Sequence, residues 1–186
     1  MPAIPELPEP LSDGTVHLRF AAERDIPEVL IAYQDDPELH VRLGEDRPPS
    51  GAQLGSRSER AEADRADGIR ATLTVLEPGS DRCRGQLTVQ KVDWGHRRAE
   101  LGLWLAPQVR GRGYAPRALR LSADWLFSSA GLERLQLLTQ PDNEAMIAAA
   151  RSAGFVLEGV LRGYERERGG RVDLAILSLL PRDLEP

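Results

Sequence analysis

Ala99-Glu100-Leu101-Gly102-Leu103-Trp104-Leu105-Ala106-Pro107-Gln108-Val109-Arg110-Gly111-Arg112-Gly113-Tyr114 is the stretch whose reading decides the fold. Its first half alternates as a strand does over residues 97–106. Leu101, Leu103 and Leu105 share one face, and Glu100, Gly102 and Trp104 share the other. Pro107 and two glycines then stop the strand, and the next seventeen residues, 114–130, carry Ala115, Leu119, Ala123 and Leu126 at helical spacing. Gly131 ends that helix. In a strand–loop–helix unit of this kind, glycines let the backbone turn tightly and let a ligand approach it. The first N–H groups of the helix have no intrahelical partner. Together they form a site suited to a phosphate or pyrophosphate, to which Arg110, Arg112 or Arg117 could add charge. Two other phosphate loops are excluded. The third glycine of a dinucleotide-binding fingerprint falls on Pro116, and the Gly-Lys-Ser/Thr of a Walker loop is absent.

Outward from this unit the chain alternates strands and helices. Residues 1–13 are proline-rich and read as an extended leader, and 14–186 read as one domain. Val16, Leu18 and Phe20 mark a half-buried strand, and Ile69, Ala71, Leu73 and Val75 mark a second. Residues 84–92 form a third strand, ended by a turn at Asp93-Trp94-Gly95. Between the first two lie a helix over 23–34, with Ile26, Val29, Leu30 and Tyr33 on one side, and a short helical stretch opened by Asp36-Pro37. A charged, alanine-rich helix over 52–67 has a solvated pattern. Beyond Gly131, Leu135, Leu137 and Leu138 mark a fifth strand, and Asn143 caps a helix that stops at Gly154. Residues 155–164 and 171–180 are two last strands around the turn Arg168-Gly169-Gly170. The order implies an α/β (α+β) protein with a mixed, mostly antiparallel sheet of about seven strands flanked by helices.

The composition is that of an ordinary globular chain of 186 residues, 41% apolar and 28% charged. A net charge of -5 argues against a nucleic-acid partner. Cys83 is the single cysteine, which excludes an intrachain disulfide and a cysteine-based zinc site, and no metal is expected. No apolar run reaches the roughly 20 residues of a membrane span, and the acidic, proline-rich start is no signal peptide. A cytoplasmic protein with no membrane partner is therefore expected. The basic residues are nearly all arginine; Lys91 is the only lysine.

Gln108-x-x-Gly111-x-Gly113 resembles the Q/R-x-x-G-x-G/A signature of the GNAT acetyltransferase superfamily. Ala99 to Leu105 resembles that family's central strand, above all in the RimJ/RimL-like branch. Asn143, eleven residues before Gly154-Phe155, resembles its next motif, and Arg162 and Asp173 echo the branch's C-terminal strands. The resemblance covers roughly residues 14–182. It implies a sheet splayed between its fourth and fifth strands, with an acyl-CoA co-substrate, acetyl-CoA above all, in the gap. It places Leu103, Trp104 and Leu105 along the pantetheine arm, with a place in the acceptor pocket as the other reading of Trp104, and Gln108, Val109, Arg110, Gly111, Arg112, Gly113, Tyr114 and Ala115 around the pyrophosphate, and Asn143 on the opposite wall.

The implied reaction is direct attack of a primary amine on the thioester in a ternary complex. The acceptor is a small molecule or a protein N-terminus. An alkylamine with a pKa near 10 needs a base, and Glu100, on the strand that carries the cofactor-binding backbone, is the first candidate. Asp93, His40 and Tyr33 are weaker ones, and Tyr164 is a candidate acid from a later strand. Two departures from the family stand out. The tyrosine seven residues after the asparagine is Ala150, and the serine three after it is Met146. Neither can protonate a thiolate, which leaves open a second expectation, a non-catalytic acyl-CoA-binding protein on the same scaffold. Similar proteins often dimerise, so a homodimer is also among the expectations.

Overall fold

The computed structural model describes residues 2–7, 11–167 and 169–184. Among the described residues eight strands form one sheet in the order β1-β2-β3-β4-β5-β6-β8-β7. They are β1 (Leu11–Ser12), β2 (His17–Phe20), β3 (Ala71–Leu76), β4 (Cys83–Asp93), β5 (Arg98–Leu105), β6 (Arg134–Thr139), β7 (Val156–Glu167) and β8 (Gly170–Leu179). All pairs are antiparallel except β5 and β6, which run parallel. The mixed, mostly antiparallel sheet is as expected, with one strand more. The end of the proline-rich leader adds β1, which pairs Leu11 with Leu18. Ile4 in the same leader is buried in the core, and its N–H donates to the Arg65 carbonyl at 3.0 Å. Ile69 falls outside β3 and is exposed, because the chain turns onto the sheet only at Ala71. Arg168 of the expected last turn lies outside the described residues.

Among the described residues five α-helices cover the sheet: α1 (Ile26–Asp35), α2 (Leu39–Arg42), α3 (Gly51–Ala66), α4 (Tyr114–Ala130) and α5 (Glu144–Ser152). The main core lies between the sheet and α4, where Leu73, Leu87, Leu101, Leu103, Leu119, Ala123 and Leu126 pack together. The other face carries a smaller cluster of Val29, Tyr33, Leu39, Cys83 and Trp104. Sheet and helices alternate as the period-2 and period-3.6 patterns require. Cys83 packs in this smaller cluster, where burial pushes its thiol up to about 12. At Gly85 the strands approach so closely that a Cβ would stand 2.3 Å from the Trp104 carbonyl oxygen. Only glycine fits there.

One buried ion pair ties β2 to the start of α1. Arg19 grips Asp25 through both carboxylate oxygens, at 2.6 and 2.9 Å, and Thr74 donates to the same carboxylate. Burial by itself would raise the Asp25 pKa, but the bonds from Arg19, Thr74 and the Ala22 N–H outweigh it and the pKa is lowered. A carboxylate depressed in the folded state stabilises the fold above its unfolded pKa of about 3.9 and loses that stabilisation as pH falls below it. Thermal melts should therefore show stability dropping between about pH 5 and about pH 3. The drop should be smaller in Asp25→Asn, which already melts lower at neutral pH.

Candidate active site

The parallel ladder between β5 and β6 is three residues long, Arg98 to Glu100 against Arg134 to Gln136. Beyond it the two strands part. β5 remains paired to β4 and β6 to β8, so their facing edges enclose a gap of about 180 Å³. The edge direction of β5 follows from its ends. The Arg97 carbonyl accepts from Glu133 and Arg134 on the β6 side, whereas the Ala106 N–H donates to Arg84 on the β4 side. Backbone polar groups of alternate residues point to the same edge of a strand. The Leu101 N–H closes the ladder on the Gln136 carbonyl, so the Leu101 C=O and the backbone groups of Leu103 and Leu105 point into the gap, while those of Gly102 and Trp104 face β4. Sequence expectation placed Trp104 beside the pantetheine arm. The structure instead turns its ring away, against Tyr33 at 6.4 Å between ring centroids, where it lines a second cavity.

The loop at the mouth of the gap is held from below. Gln108 donates to Asp35 at 2.8 Å, and Arg110 binds both Asp36 and, at 2.9 Å, the Leu105 carbonyl. Asp36 also takes Arg42, so burial of this carboxylate is outweighed by two guanidinium groups and its pKa is lowered. The Arg110 side chain is thus an anchor of the loop. Val109 and Tyr114 are buried, so only their backbones are available to a ligand. Arg112 is exposed with no ion partner among the described residues, and Arg117 is paired with Asp13 at 2.6 Å. Gly111 and Gly113 adopt φ of 73° and 77°. Among the described residues, the N–H groups of 111–115 find no acceptor. A Cβ placed on Gly111 would meet nothing within 4 Å. Open space above a row of unpaired donors at a helix start fits a pyrophosphate.

Asn143 does both things its position allows. Its side chain accepts from the Met146 N–H at 3.2 Å, capping α5, and it lines the gap, donating to Thr139 at 3.0 Å. Met146 also lines the gap, and Ala150 is buried behind it.

Glu100 sits where β5 and β6 part, 5% exposed. Three groups reach its carboxylate: Lys91 at 2.9 Å, Gln90 at 3.2 Å and Gln136 at 3.4 Å. Neighbouring residues of a strand ordinarily face opposite sides. Gln90 and Lys91 converge because a bulge lies between Gln90 and Asp93 and Lys91 takes a left-handed φ of 49°. Burial alone would lower the Lys91 pKa, but Glu100, with Glu165 beyond it, raises it. Lys91, Gln90 and Gln136 were not legible as site residues, since only the bulge and the β5–β6 pairing bring them together. Tyr164 is nearly half exposed on β7 and lines neither cavity. Asp93 is bound to His96 and Arg98 in the β4–β5 turn, which likewise lies outside both cavities. His40 lines neither, and Tyr33 lines the larger one, its O–H donating to Glu45 at 2.8 Å.

That larger cavity, about 320 Å³, lies on the opposite face of the sheet from α4, between the sheet, α1 and α3. The two cavities share Leu43, Gln90, Gly102 and Leu103, so they meet where β5 leaves β6. Among the described residues no cluster of His, Cys, Asp and Glu could hold a metal ion, and no helix is long and apolar enough to cross a membrane.

An acetyltransferase (GNAT) domain family matches residues 15–156. An uncharacterized N-acetyltransferase, p20, of Bacillus licheniformis is 27% identical over 161 residues, 87% of this chain and 90% of the relative. Spermidine N(1)-acetyltransferase of Escherichia coli (strain K12) is 35% identical over 77 residues, 41% of each chain. Among solved structures, Mycobacterium smegmatis RimJ in complex with CoA-disulfide superposes with a TM-score of 0.80 at 25% identity, covering 92% of this chain and 84% of the other.

Proposed function

This chain belongs to the acetyltransferase (GNAT) family, and on that premise we propose that it moves an acetyl or other short acyl group from acyl-CoA to a primary amine. The observation that carries this reading is the gap that opens after the Glu100–Gln136 pair. It has strand N–H groups along one wall, a carboxylate at its apex and a second cavity joined to it at Gly102 and Leu103. Bound acyl-CoA supplies the thioester and a thiol leaving group. The N–H groups of 111–115 hold its pyrophosphate, and the free edge of Leu103 and the Leu105 N–H, with Asn143 opposite, orient its arm.

The amine enters through the larger cavity. As its nitrogen bonds to the thioester carbon and the C–S bond breaks, its proton passes to Glu100, directly or through one water. Charge developing on the carbonyl oxygen is met by a β5 N–H beyond the ladder, that of Leu103 or Leu105. A thiol with a pKa near 8.5 leaves without a dedicated acid, so solvent protonates the thiolate and the absence of a donor at Met146 and Ala150 is tolerated. Lys91 and the two glutamines hold the Glu100 carboxylate at the apex of the gap.

A second reading, a non-catalytic acyl-CoA-binding protein, is favoured by one observation: Lys91 already occupies the Glu100 carboxylate. Thiol release from acetyl-CoA in the presence of an amine panel separates the two. Release above the rate without amine is the expected result. Binding of acetyl-CoA with no release across a broad panel would establish the second reading.

A further inference from the structure

The larger cavity is polar where a protein core is apolar. Its floor is the middle of the sheet, yet the residues presented there are Thr72, Gln86, Thr88 and Gln90, while their neighbours Leu73, Leu87 and Val89 are fully buried on the other face. Its roof is α3, sixteen residues long with none buried, which turns Arg57, Ser58, Ala61 and Asp64 toward the cavity. A helix and a sheet that meet through hydroxyl, amide and charged groups enclose a polar ligand or water, because uncompensated burial of such groups is costly.

The charges in this cavity divide into those already used and those free. Asp25 is taken by Arg19 and Thr74. Glu45 is taken by Tyr33 and by Arg57 at 3.0 Å. Among the described residues Arg60 and Arg70 have no carboxylate within salt-bridge distance, and the one uncommitted carboxylate is Asp64. Arg70 is exposed at the rim of the cavity, and partial desolvation there together with repulsion from Arg57 lowers its pKa even with Asp64 and Glu45 nearby. Uncommitted positive charge is therefore in excess.

Register fixes the distance to the chemistry. Thr72, Thr88 and Gly102 form one row across β3, β4 and β5. Arg70 immediately precedes β3, two strands across from Gly102 and two residues along, or about 12 Å at a strand spacing of about 4.8 Å and a rise of about 3.3 Å per residue. An arginine side chain spans much of that, leaving room for a few carbon atoms.

We propose that the acceptor is a small amine that also bears an anionic oxygen group, a carboxylate or a phosphate, bound by Arg70 and Arg60, so that its amine is delivered to the junction of the two cavities at Gly102 and Leu103. This rests on the amine acyltransferase reading above. Arginine suits the task because its planar fork takes both oxygens of such a group at once.

The test is thiol release from acetyl-CoA with the twenty L-amino acids and their carboxamides, with O-phosphoethanolamine against ethanolamine, and with spermidine and a tripeptide amide. Each variant's affinity for acetyl-CoA is measured by calorimetry and its fold by thermal melting. At least one free acid or phosphate should exceed its neutral counterpart by about tenfold or more in kcat/KM. The carboxylate and phosphate arms decide which group is recognised. Arg70→Gln should remove most of that ratio while acetyl-CoA affinity stays within about twofold. Preference for spermidine, for the tripeptide amide or for the neutral counterparts overturns the inference and leaves the enzyme reading intact. So does a preference that survives both Arg70→Gln and Arg60→Gln. Silence of the whole panel with acetyl-CoA bound overturns both, and failure to bind acetyl-CoA removes the reading on which the inference rests.

Discussion

Glu100→Gln lowers kcat by about 10²- to 10³-fold, within the roughly 10²- to 10⁴-fold that general-base catalysis ordinarily contributes, while acetyl-CoA affinity stays within about twofold. The substitution is close to isosteric. The side chain stays where β5 and β6 part, and an amide can still bond Gln90 and Gln136, which hold the carboxylate at 3.2 and 3.4 Å. What disappears is the charge that draws Lys91 to 2.9 Å and the basicity that is proposed to take the amine's proton. The backbone edge of Leu103 and Leu105 and the donors of 111–115 are untouched, which is why binding survives. Steady-state thiol release over a pH range, with calorimetry alongside, reads both quantities. A variant that retains most of its kcat would move the proton acceptor elsewhere, and one that loses acetyl-CoA would make Glu100 a structural residue of the gap.

The second large effect is on binding alone. Gly111→Val raises the acetyl-CoA Kd by about 10- to 100-fold and costs the fold about 1–2 kcal/mol, the price of a left-handed conformation for a residue with a Cβ. The protein itself offers no obstacle, since a Cβ at this position meets nothing within 4 Å. The penalty has two sources. At φ 73° a β-branched residue is strained. If the backbone relaxes to avoid that strain, the N–H groups of 111–115 no longer converge. In addition, the side chain stands in the open space where the pyrophosphate is proposed to sit. Gly111→Ala should show a smaller loss of the same kind. Calorimetric titration of both variants, each first checked by melting, gives the answer. An unchanged Kd for Gly111→Val would mean that the phosphates lie elsewhere.

What sequence makes legible follows from how local each feature is. The alternation of Leu101, Leu103 and Leu105, the break at Pro107 and the helical spacing from Tyr114 onward are properties of adjacent residues, and strand, loop and helix stand where that pattern puts them. The solvated character of residues 52–67 is equally local, and α3 buries none of its side chains. Residues whose partners are remote in sequence were not legible. Arg110 reads as a phosphate ligand by position, but Asp36, 74 residues away, claims its side chain. Gln108 is drawn the same way to Asp35. Lys91 reads as an ordinary strand residue until the bulge after Gln90 turns it onto Glu100. Trp104 shows the limit of alternation itself. The pattern assigned its ring to the face shared with Glu100 and Gly102, yet only the direction of the Arg97 carbonyl and the Ala106 N–H reveals which residues offer backbone to the gap. The polar floor of the larger cavity escaped for a related reason. Thr72, Gln86, Thr88 and Gln90 look like the solvent side of a two-faced sheet until α3 is laid across them.

Calorimetric titration of the wild-type protein with acetyl-CoA, CoA and NADH tests the central claim most directly, namely that the β5–β6 gap and the 111–115 loop form an acyl-CoA site. The account predicts micromolar binding of both CoA species and none of NADH, whose recognition by a dinucleotide fingerprint Pro116 excludes. Absence of CoA binding, or binding of NADH with equal affinity, would contradict it.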